Sequence, residues 1–172
     1  MNGATFRDSN GLWENYDVSQ VAITQNVDDL HERAGSAKII HLHGEITKAC
    51  NENKNQVIEI GYNDIGLGDK AADGSQLRPF IAWFGESVPM MEQAIKIVQS
   101  ADILLIVGTS LQVYPAASLV RLAPITTPIY LIDPQPVNNE NEIIVIRKKA
   151  SQGMEDFRDF LLTGKELPRP PC

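Results

Sequence analysis

Two histidines separated by one residue, His41 and His43, close a short apolar run, and a crowd of amides and carboxylates, Gln25, Asn26, Asp28 and Asp29, closes another. A neutral imidazole needs only a small environmental shift to take up a proton near neutral pH. His43 sits between Leu42 and Gly44, and the glycine leaves its ring open to a substrate, which makes it the candidate general base. His31 and His41 read as structural, since a histidine near a strand end more often satisfies a local hydrogen bond. Without further context, the polar residues after Ile23 read equally well as an Asn/Asp-rich turn.

Positioning these groups calls for short strands. Residues 21–23 and 38–40 are expected as two, joined by a helix-like piece that Gly35 and Ser36 break. Short strands ending in polar clusters are how an α/β protein brings reactive side chains to one edge of a sheet. Residues 101–107 are apolar on both faces and are expected as a central parallel strand. They run into Gly108, Thr109 and Ser110, a turn suited to a phosphate or ribose. Residues 128–132 form another strand ending in Asp133, and residues 143–146 form the last one. A helix carrying Met154, Phe157, Phe160 and Leu161 follows. Residues 81–84 are expected as a strand, and Pro89 as the start of a helix that packs through Met90, Met91, Ala94, Ile95 and Val98.

A chain of 172 residues suits one domain, and 43% hydrophobic with 22% charged residues reads as globular. The net charge of −7 and the lack of a basic run longer than Arg147-Lys148-Lys149 argue against a nucleic-acid surface. No apolar run approaches the roughly 20 residues of a membrane helix, and no signal pattern opens the chain, so a cytoplasmic location is expected. Two cysteines are too few for a disulfide framework and suit a reducing compartment.

The segment QNVDDLHERAGS followed by HLHGE resembles the core signature of the sirtuin family, the NAD-dependent protein lysine deacylases. RPFIAWFGE at 78–86, GTSLQVYPA at 108–116, LIDP at 131–134, and TFR with GLW near the N-terminus agree with it, in the family's order. The resemblance implies a Rossmann-like parallel sheet in a single domain over 1–172, with a small inserted module at 47–78. It implies NAD as cofactor and acyl-lysine proteins or peptides as substrates. Phe6 and Arg7 would belong to the loop covering the nicotinamide half, and Gln25, Asn26 and Asp28 would contact the nicotinamide ribose and carboxamide. A carboxamide side chain suits that task because it offers both a donor and an acceptor. His43 would be the base. Gly108, Thr109, Ser110 and Val113 would face the adenosine side, Asp133 a ribose hydroxyl, and Ala150 the turn over adenine. Phe84, Gly85, Glu86 and Val88 would pair with an extended substrate peptide as an added strand.

Three departures accompany the resemblance. Sirtuins commonly carry two cysteine pairs for zinc, whereas residues 47–78 hold Cys50 alone, and structural zinc wants four N or S ligands. The module is therefore expected to be metal-free, as in a bacterial subgroup. The family's opening strand with its Gly-rich loop has no counterpart before Thr5, and a long helical segment has none between Val21 and Ile23. Loss of the opening strand, normally in the middle of the sheet, would leave its neighbours unpaired, and exposed edges invite association. The rival to an active deacylase is an inactive, shortened remnant that at most binds peptide.

Overall fold

The computed structural model describes residues 20–109, 111–135, 143–164 and 167; Phe6, Arg7 and Ser110 lie outside them. The chain divides into two compact units, residues 1–94 and 95–172.

In the first unit, strands β1 (Ala22–Thr24) and β2 (Ile39–His41) pair in parallel, Ala22 opposite Ile39 and Thr24 opposite His41. Between them lies a single helical turn, α1 (Leu30–Arg33). The Asp28 carboxylate accepts from the Leu30 amide at 3.1 Å, satisfying one of the amides a helix start leaves open. Gly35, at φ +86°, ends the turn in the left-handed region.

Strand β3 (Gly44–Cys50) follows β2 after two residues and is the centre of an antiparallel sheet with β4 (Val57–Glu59) and β5 (Arg78–Ile81). Its pairing with β5 slips between Glu45 and Ala49, where Pro79 has no amide to donate. Gly44 sits at φ +85° against β5, and a Cβ there would lie 2.0 Å from the Phe80 carbonyl oxygen. The segment expected as an irregular module is organised by Asn51, which is fully buried. The Asn51 side chain donates to Asn55 at 2.7 Å and Asp73 at 2.6 Å, and accepts from the amides of Asn55 and Gln56 at 3.0 Å each. Buried Cys50 donates weakly to the Pro79 carbonyl.

The strand expected at 81–84 is displaced toward the N-terminus. The ladder ends with the Ala82 amide donating to the His43 carbonyl at 2.7 Å. Gly85, at φ +88°, and a bond from the Glu86 amide to the Trp83 carbonyl then turn the chain, leaving Trp83 and Phe84 exposed. Pro89 lies in the turn just ahead of α2 (Met91–Val98), whose buried residues are Ala94 and Val98.

In the second unit, β6 (Leu104–Val107), β7 (Ile129–Ile132) and β8 (Ile144–Ile146) form a parallel sheet in the order β6-β7-β8. A 3-10 helix, Ala116–Leu122, lies in the crossover from β6 to β7. Helix α3 (Ala150–Thr163) packs Phe157 with Tyr130, Ile132 and Ile146, and Met154 and Phe160 border that cluster. Burying an Ile such as Ile132, 1% exposed, contributes roughly 2 kcal/mol. Gly153 lets the helix approach, since a Cβ there would lie 2.3 Å from Ile132 Cγ2. Leu161, expected on the packed face, is exposed.

The most apolar strand is not central. Among the described residues β6 pairs only with β7, and Ile103 and Val107 stay exposed. Among the described strands of the second unit the central, most buried one is β7, with a partner on both sides. Parallel strands with intervening helical segments are the Rossmann-like α/β arrangement the sequence implied.

The contrast between two glycines is testable. Gly44→Ala combines a left-handed φ with overlap on a fixed carbonyl and should cost about 3 kcal/mol or more. Gly35→Ala, with open space around it, should cost about 1 kcal/mol. Equal shifts in thermal unfolding would contradict the close approach at Gly44.

Candidate active site

The parallel register of β1 and β2 fixes where the first unit's candidate residues stand. Because Thr24 lies opposite His41, the residues that follow each strand, Gln25-Asn26 and Leu42-His43, share one edge. The Leu42 amide continues the pairing by donating to the Thr24 carbonyl at 2.9 Å. Buried Thr24 accepts from the Asn26 amide at 3.1 Å, bending the chain as it leaves β1. Leu42 is fully buried, and the His43 carbonyl is tied to Ala82. The base candidate is therefore pinned through its backbone to elements on both sides.

The two histidines at this edge differ sharply. His41 is buried, with Nε2 2.7 Å from Glu32 Oε1 and Nδ1 3.3 Å from the Asn26 carbonyl. It is consumed in joining β2, α1 and the Asn26 turn. The His43 ring is half-buried, and no described residue hydrogen-bonds to it. Burial lowers its pKa from the ordinary 6.5, which keeps the ring neutral and able to accept a proton at neutral pH. Burial works against ionisation of Glu32, but its bond to His41, a backbone hydrogen bond and the nearby charges of His41 and His31 together outweigh this and hold the carboxyl below its ordinary range.

An acidic cleft of about 310 Å³ lies beside this edge, lined by Asp28, Asp29, Glu32, His41, Glu45 and Lys48 among others. Glu32, His41 and Glu45 offer donor atoms within 4.8 Å of one another. Glu32 is already engaged by His41, and Glu45 by Lys48 at 2.7 Å, so the trio serves as a structural network. The Tyr62 hydroxyl donates to Asp29.

The second unit gathers its own set at the C-terminal edge of its parallel sheet. Val107 lies opposite Ile132, and Ile132 opposite Ile146, so Gly108, Asp133 and the turn into α3 at Ala150 leave the sheet together. Gly108 has φ +64°, and its Cα faces open space, so a ligand can approach its backbone. The Thr109 hydroxyl accepts from the Leu111 amide at 3.3 Å, the Asp133 carboxylate from the Gln135 amide at 2.8 Å. Val113 is exposed. An acceptor carboxylate beside an open glycine at such an edge suits a ribose.

Of the residues expected to meet substrate, Phe84, Gly85 and Glu86 occupy the turn after β5, with Val88 half-buried behind it. The Glu86 side chain faces inward. It accepts from Arg78, Lys54 and the Trp83 amide, and these bonds, that from Arg78 foremost, hold its pKa at about 2. Sequence reasoning missed Asn51, Lys54 and Glu32, whose partners lie across turns that no periodicity marks.

The Sir2 family profile matches residues 10–115. An NAD-dependent protein deacylase of Bacteroides thetaiotaomicron is 41% identical, over 92% of this chain and 91% of that protein. Among solved structures, a Sir2 homolog–NAD complex aligns with TM-score 0.70 at 37% identity, covering 79% of this chain and 56% of that one. A Sir2–p53 peptide–NAD+ complex aligns at 0.66 and 25% identity, covering 84% and 63%. The chain thus spans less than two thirds of the solved structures it matches.

A depressed His43 pKa has a signed consequence. Between the folded value and the ordinary 6.5 the unfolded chain binds the extra proton, so His43's contribution to stability is full above pH 6.5 and is lost as pH falls through the folded pKa. NMR titration of the imidazole resonances should place His43 below 6.5; a value at or above it would contradict the desolvated site.

Proposed function

The chain belongs to the Sir2 family, and we propose that it works as an NAD-dependent protein lysine deacylase with His43 as its general base. The observation that carries this reading is the shared edge of β1 and β2, where Asn26 and a half-buried His43 with an open ring stand together. When bound, NAD supplies the ADP-ribose that receives the acyl group as nicotinamide is released. Gln25, Asn26 and Asp28 would hold the nicotinamide ribose and carboxamide, and Gly108, Thr109, Ser110, Val113, Asp133 and Ala150 the adenosine side. The open face of Gly108 and the acceptor character of Asp133 fit that group. A ring nitrogen of His43 would take the proton of a ribose hydroxyl, so that NAD, the acyl-lysine and one water would become nicotinamide, O-acyl-ADP-ribose and the free lysine amine. Residues 83–88 would hold the substrate peptide.

The same reading has residues 47–78 fold without zinc, supported by a single cysteine and by the Asn51 network in that segment. Sparse cysteines support work in the cytoplasm, and among the described residues no helix is long and apolar enough to cross a membrane.

His43→Ala should lower deacylation of an acyl-lysine peptide by about 10²–10⁴-fold, the range for a positioned general base, while NAD binding persists. Retained turnover in that variant would move the role to another residue.

A further inference from the structure

Glu86 has an unusual number of partners for a residue on an exposed turn. Its Oε1 accepts from Arg78 Nη1 at 2.7 Å; its Oε2 accepts from Lys54 Nζ at 2.7 Å, Arg78 Nη2 at 3.0 Å and the Trp83 amide at 3.0 Å. Its own amide donates back to the Trp83 carbonyl at 3.0 Å. The turn from Trp83 to Glu86 is therefore closed twice, once by backbone and once by this carboxylate.

The cation that completes the carboxylate's shell comes from the loop between β3 and β4. Lys54 is held there with its side chain only 16% exposed and its backbone at φ 57°, a conformation costly for a residue with a Cβ. Its amide donates to the Asn51 carbonyl at 3.1 Å, and the fully buried Asn51 side chain takes the next two amides, of Asn55 and Gln56. Asn51 thus fixes the loop, the loop delivers Lys54, and Lys54 with Arg78 locks Glu86. The locked turn holds Trp83 and Phe84 out in solvent, and it starts one residue after Ala82, whose amide is bonded to the His43 carbonyl.

We propose that Lys54 is a positioning residue for the acyl-lysine substrate. Through Glu86 it sets the turn on which the peptide docks next to the base, while Asn51 keeps Lys54 in place. The proposal rests on the deacylase reading. It makes the Glu86 side chain an internal brace and leaves docking to the turn's backbone and its exposed aromatic residues.

The test compares the full chain with Lys54→Ala and Lys54→Arg, the latter able to rebuild the ion pair. Lys54→Ala should raise the KM for an acyl-lysine peptide roughly tenfold, as loosened positioning does. The KM for NAD should not move, the Trp83 amide should exchange faster with solvent, and Lys54→Arg should restore all three to wild type. An active wild type whose peptide KM is unchanged in Lys54→Ala overturns the proposal, as does an equal rise in the KM for NAD. A wild type that deacylates nothing defeats the functional reading instead. The Trp83 amide then decides the brace by itself, and unchanged exchange in Lys54→Ala overturns it.

Discussion

The parallel pairing of β1 with β2 is the constraint on which the rest of the first unit depends. Strand side chains alternate faces, so a shift of one residue in that register would reverse which of them are buried. With Thr24 opposite His41, His41 turns inward to Glu32 and the Asn26 carbonyl, Leu42 is fully buried, and the His43 ring remains open. Slipped by one, Ile40 or Leu42 would take the place from which His41 reaches Glu32, and both imidazoles, being two residues apart, would change faces together. The sheet is only three residues long on each strand. Its register is enforced by neighbours instead: the His41–Glu32 bond, the Leu42–Thr24 bond beyond the strand end, and the close approach of Gly44 to Phe80.

The inserted segment shows a second solution to a familiar problem. A short irregular stretch has little apolar surface with which to repay the entropy of ordering it. Here a buried amide does the organising. Asn51 makes four hydrogen bonds with its side chain, the full capacity of a carboxamide. In a buried site such a network is stable only when nearly complete, since each unmade bond leaves a desolvated polar group. Completeness makes the loop rigid, and a rigid loop can carry a charge to a defined place.

Much of this was legible in the residues. Val107, Ile132 and Ile146 end apolar runs, and each is followed by a polar or glycine turn, so the strands of the second unit and the edge where Gly108 and Asp133 leave them could be read directly. His43 stood out because Gly44 follows it. The position of β6 was misjudged because a strand's apolarity reports burial in a family's sheet and says nothing of which neighbours are present. The run at 81–84 misled for a local reason: Gly85 and the inward Glu86 break a ladder that Trp83 and Phe84 would otherwise continue. Asn51 and Lys54 sit in a stretch of Asn, Glu and Lys that any solvated loop would show, and only three-dimensional partners distinguish them.

The proposed deacylase reaction stands or falls on NAD binding by this chain, with Asn26 at the edge of β1 and β2 among the residues that would hold it. Calorimetric titration of the purified chain with NAD, beside a thermal melt and the Asn26→Ala variant, tests it most directly. The account predicts a cooperative melt, one NAD bound per chain, and weaker binding once the Asn26 carboxamide is removed. A chain that melts cooperatively yet takes up no NAD would contradict it.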